Sequence, residues 1–74
     1  MQIRLAYSTN PKRYTIVHRE KGCRRSYRCG YYHTELERIM DVAQLEADSD
    51  KYTMVKVIDA DTDEIVRVLK GGMQ

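Results

Sequence analysis

Seven cations and four tyrosines crowd into one stretch near the start of the chain. Lys12, Arg13, Arg19, Lys21, Arg24, Arg25 and Arg28 are interleaved with Tyr14, Tyr27, Tyr31 and Tyr32. Arg and Lys neutralise phosphates and Tyr stacks on bases, so the combination points to an anionic partner, nucleic acid foremost. The chain-wide charge agrees with that emphasis. Residues 1–33 carry eight Lys or Arg against a single acid, Glu20, a net +7; residues 34–74 carry five against ten acids, a net −5, leaving +2 overall.

Three other constellations point nowhere. His18, Cys23, Cys29 and His33 include metal-ligand types, but zinc ligands come in pairs two to four residues apart. Here Cys23 and Cys29 read as six positions apart on one strand, roughly 20 Å if extended. One ion cannot bridge them, nor can a disulfide. They read as reduced thiols, and no metal or cofactor is expected. Asp59, Asp61 and Asp63 open like a calcium loop, yet Glu64 stands where glycine is required and Lys70 where the bidentate Glu should be. Neither histidine is spaced toward a nucleophile, and no glycine-rich phosphate loop is present, so no enzyme is expected.

The elements that must position the cations follow from periodicity. Ile3–Tyr7 alternates at strand period, 13–20 is rich in the Tyr, Thr, Ile and Val that suit a second strand, and 23–31 reads as a third, with Lys21-Gly22 as a tight turn between the last two. Thr34-Glu35-Leu36-Glu37 reads as a capping box. It opens a helix whose stripe is Leu36, Ile39, Met40, Ala43 and Ala47, ended by Asp48-Ser49-Asp50. Two more strands, 52–59 and 64–70, flank a polar hairpin loop. The expected architecture is α+β: a five-stranded, mainly antiparallel sheet in the order βββαββ, with one helix on one face. Residues 1–70 form a single globular domain, and 71–74 a flexible tail. No run reaches the ~20 apolar residues of a membrane span, and no signal peptide opens the chain, so a cytoplasmic protein is expected.

A two-residue turn at Lys21-Gly22 sets a register. It pairs Arg19 with Arg24, Val17 with Ser26 and Thr15 with Arg28 on one face, with Arg13 and Arg4 beside them. Like charges directly opposite cost up to ~1 kcal/mol, which an anion would relieve; splaying into water is the competing account. Pairing Asp59 with Glu64 places Val55, Val57, Val66 and Val68 in the core. It leaves Met54, Ile58, Ile65 and Leu69 as an outward patch, suited to a homodimer.

Two functions are therefore expected as alternatives. In the first, Arg4, Arg13, Arg19, Lys21, Arg24, Arg28 and Tyr32 bind nucleic acid or a nucleoprotein. In the second, Glu35, Asp41, Glu46, Asp48 and Asp50 bind a basic, nucleic-acid-binding host protein. The chain would then act as a protein–protein inhibitor, imitating nucleic acid. Small size and the lack of motifs make that reading resemble accessory proteins of phage and mobile elements, anti-CRISPR inhibitors among them. The ends, Met1-Gln2-Ile3 and Leu69-Lys70-Gly71-Gly72, resemble those of ubiquitin, but the interior pattern differs.

Overall fold

A computed structural model describes residues 12–71. Four strands and one helix follow in chain order: β1 (Tyr14–Glu20), β2 (Tyr27–His33), α1 (Leu36–Asp48), β3 (Tyr52–Asp59) and β4 (Ile65–Lys70). The sheet is antiparallel throughout, with spatial order β2-β1-β3-β4. The expected α+β class holds; among the described residues the sheet has four strands, where five were expected for the whole chain. The run Ile3–Tyr7, and Arg4 with it, lies outside the described residues.

The two central strands are rich in β-branched residues. β1 reads YTIVHRE and β3 reads YTMVKVID, sequences suited to a pleated, packed surface. Alternation turns Ile16 of β1 and Val55 and Val57 of β3 toward the helix, where they meet Ile39 and Ala43. These five side chains are fully buried and form the core. Tyr14, Cys29, Met40, Val42, Ala47, Tyr52 and Leu69 pack around them. His18 also faces the helix: its Nδ1 lies 2.7 Å from Glu46 Oε1, and its ring stacks on Tyr52 at 4.5 Å.

The first hairpin differs from its expected form. The connection spans residues 21–26, so Arg24, Arg25 and Cys23 lie in a loop and not on a strand. The Cys23 N–H donates to the Glu20 carbonyl, and Gly22 takes a φ of 88°. Crowded cations gain hydration in a loop that a ladder would deny them. His18 pairs with Tyr27 instead of Arg25, and Arg19 lies opposite Met54 of β3 rather than Arg24. No Arg19–Arg24 clash exists. Further along, β2 bulges: Thr15 pairs with Tyr32 and Val17 with Arg28, leaving 29–31 opposite Ile16 alone. Gly30, at φ 83°, permits the bulge. The Cys29 thiol accepts the Tyr31 N–H at 3.3 Å.

The helix start also departs from the capping box. Glu35, not Thr34, is the N-cap residue and makes no side-chain cap. Its N–H donates to His33 Nδ1 at 3.1 Å, so the neighbouring histidine satisfies the entering backbone instead.

In the second hairpin the expected pairing holds next to the loop, where the Asp59 N–H donates to Glu64 at 2.8 Å. A bulge then intervenes: Ile58 pairs with Ile65, but Val57 pairs with Arg67 and Lys56 with Val68. The extra residue reverses the alternation as far as a second irregularity at Leu69, after which Lys70 pairs with Val55. Val66 and Val68 are exposed rather than core, and Leu69 packs against the core rather than pointing outward. The proposed dimer patch is broken up accordingly. Met54 and Ile58 are only 6% and 4% exposed, Leu69 is on the helix side, and Ile65 alone is open, at 54%.

Candidate anion-binding face

The sheet face turned away from the helix carries the odd-numbered residues of β1 and their partners. Register places Thr15, Val17 and Arg19 of β1 on it, with Arg28 and Tyr32 of β2 and Lys56 and Val68 of the other pair. Arg13 precedes β1 on the same parity. From Arg13 to Arg19 this track runs roughly 20 Å. Its two ends differ in electrostatic state.

At one end the cations are already engaged. Arg13 Nη2 donates to Asp61 Oδ1 at 2.8 Å, and Arg28 pairs with Asp63. Arg28 Nη1 also donates to the Ala60 carbonyl at 3.2 Å. The Arg13 guanidinium lies 5.4 Å from the centre of the Tyr32 ring. Contact with Asp61 raises the pKa of Arg13; proximity of the Tyr32 oxygen, then the charge of Asp63, raises that of Arg28. The two guanidiniums therefore stay charged throughout the accessible pH range. The loop supplying the carboxylates is built on Asp59, whose Oδ1 accepts from the N–H groups of Asp61 at 2.8 Å and Thr62 at 3.1 Å. Those donors hold its carboxyl below the usual range.

At the other end the cations stand alone. Arg19 and Lys56 border a shallow groove of about 310 Å³, whose floor includes Met54, Ile65 and Val68, with Ser26 and Gly71 at its rim. Among the described residues, no carboxylate lies within ion-pair distance of Arg19, Lys56 or the loop cations Lys21, Arg24 and Arg25. The Lys21 N–H donates to the Lys51 carbonyl at 2.8 Å, which fixes the base of that loop.

The acidic candidates are dispersed. Glu35 pairs with Arg38 at 3.2 Å, Glu46 is bonded to His18 and partly buried, and Asp48 accepts from Gln44 at 3.0 Å. Asp41 and Asp50 are exposed. Asp41 lines a groove of about 540 Å³ with Leu36, Glu37, Met40, Val66 and Arg67, between α1 and β4. His18 and His33, bonded to Glu46 and to the Glu35 N–H, do not converge with the cysteines.

Sequence reading missed the Arg13–Asp61 and Arg28–Asp63 pairs. The partners are 48 and 35 residues apart, and no local pattern marks them. No helix among the described residues is long and apolar enough to cross a membrane. Compared with family models, curated proteins and solved structures, the chain matches none.

Proposed function

We propose that this domain is a non-enzymatic binding module whose sheet face turned away from the helix receives single-stranded nucleic acid. The observation carrying the reading is that Arg19 and Lys56 flank an apolar groove with no acidic partner among the described residues. Arginine and lysine beside the exposed Ile65 and Val68, with Met54 buried beneath them, suit a ligand with alternating charge and flat apolar surface, as a nucleic-acid strand has. The loop cations Lys21, Arg24 and Arg25 extend the positive field beyond the groove.

The test is a salt series with a fluorescent single-stranded oligonucleotide. Wild-type affinity should fall steeply with salt. Arg19→Glu with Lys56→Glu should lower it at least about tenfold at ~50 mM salt. No wild-type binding at that salt would end the proposal.

A second reading rests on the helix groove, where exposed Leu36 and Val66 lie beside Glu37 and Asp41. Apolar floor and acidic rim suit a basic protein, the inhibitor alternative. Pull-down from a nuclease-treated lysate distinguishes the two. A partner held there should be released by Glu37→Lys with Asp41→Lys and retained by Arg19→Glu.

A further inference from the structure

The Arg13–Arg28–Tyr32 cluster is an anion site with its own chain seated in it. Two guanidiniums, one just before β1 and one on the neighbouring strand β2, converge on two carboxylates of one loop, and a tyrosine ring lies beneath one of them. Arginine recognises carboxylate and phosphate by the same fork of donors, so what holds Asp61 and Asp63 fits phosphate oxygens equally well. The pairs are solvent-facing: side-chain exposure is 51% and 55% for Arg13 and Asp61, and 37% and 73% for Arg28 and Asp63. Ion pairs this open are weak and exchangeable. The cluster lies on the same face as Arg19 and Lys56, roughly 20 Å along β1 from Arg19, so a strand long enough to span the face meets both ends, with Thr15, Ile58 and Met54 buried between them.

We propose that Arg13, Arg28 and Tyr32 form a second phosphate subsite for single-stranded nucleic acid, occupied in the free protein by the carboxylates of Asp61 and Asp63. The incoming strand displaces the loop, its phosphates taking the guanidiniums and a base meeting the ring of Tyr32, which is 41% exposed. The loop thereby acts as an internal competitor: it weakens binding and sets a threshold that short or sparsely charged ligands do not pass. This inference rests on the proposed nucleic-acid function and extends it to the far end of the face.

The test compares wild type with Asp61→Asn/Asp63→Asn in a salt series, using a labelled oligothymidylate of about 12 nucleotides. Asn tolerates the left-handed conformation that Asp63 adopts at φ 66°, so the loop keeps its shape while losing its charge. Removing any two acids strengthens attraction to a polyanion, so Glu37→Gln/Asp41→Asn is the control. Both of its positions are exposed on α1, across the sheet. The loop variant should bind about three- to tenfold tighter than the control. Its slope of log affinity against log salt should be steeper by about 1.4, the yield of two released phosphate contacts at ~0.7 each. Adding Arg13→Gln and Arg28→Gln should erase both gains. A loop variant equal to the control in affinity and slope would overturn the subsite while leaving the Arg19–Lys56 reading intact. Failure of wild type and loop variant alike to bind would overturn both.

Discussion

Asp59 shows how one side chain can hold a functional loop. It is the buried acid at the end of β3, and its Oδ1 caps the N–H groups of Asp61 and Thr62. The two turn donors bond best to the ionised form, which is why its carboxyl is held below the ordinary range. The folded state then releases the proton more readily than the unfolded chain, so protonation favours unfolding. Its contribution is complete above the unfolded value of roughly 4 and is lost as pH falls through the lower folded value. Asp59→Asn keeps a neutral acceptor, so it should melt below wild type at pH 7, and the gap should close under acid. Melting curves from pH 7 to pH 2 check this; a gap independent of pH would contradict it. The polar stretch Ala60-Asp61-Thr62-Asp63 announces a hairpin loop in the sequence, and that much was legible. Which arginines the turn would meet was not, since only folding brings residues so far apart in the chain together.

The two hairpins show why faces survive some register errors and not others. In the first, the true pairing is His18 with Tyr27 where a two-residue turn implies His18 with Arg25. A slip of two leaves every side chain on its original face. Arg13, Arg19 and Arg28 are therefore together on the open face, as the alternation of the sequence indicates, even though Arg24 is not. In the second hairpin the bulge at Val66 shifts the pairing by a single residue, which inverts Arg67 and Val68, and a second irregularity at Leu69 shifts it again, so that Lys70 pairs with Val55. Val68 and Leu69 exchange sides for that reason. Run IVRVLK is apolar on both faces, so nothing in it marks where the bulge falls. Glycines show where the backbone depends on such irregularities. A Cβ on Gly30 meets nothing within 4 Å, so Gly30→Ala carries only the strain of φ 83°. That strain is about 1–2 kcal/mol. At Gly71 the same Cβ would stand 2.0 Å from the Thr53 carbonyl oxygen, so Gly71→Ala must also push β4 away from β3. Chemical denaturation should rank Gly71→Ala as the more damaging. Equal midpoints for the two would show that the end of β4 yields freely.

At the scale of the molecule, the division of the sequence into a basic and an acidic part becomes a difference between the ends of one face. The acids of the last hairpin meet Arg13 and Arg28, while Arg19, Lys56 and the first hairpin loop keep their charge unmatched among the described residues. None of this charge holds the fold together, because the pairs are open to water and weak. Cohesion falls to the contact between helix and sheet, and its fully buried centre is small: Ile16, Ile39, Ala43, Val55 and Val57. Ile16 lies on the central strand β1, among β2, β3 and α1, so its removal leaves a void that no single element can close by shifting. Ile16→Ala should cost about 2–5 kcal/mol. Domains of this size command only about 5–15 kcal/mol in total. The variant should therefore be partly unfolded at 37 °C, with a much lower denaturation midpoint. Arg19→Glu/Lys56→Glu should leave that midpoint nearly unchanged, because those side chains line a groove on the far face. If the charge variant lost as much stability as Ile16→Ala, the cations would be structural, and their claim on a ligand would fall with that result.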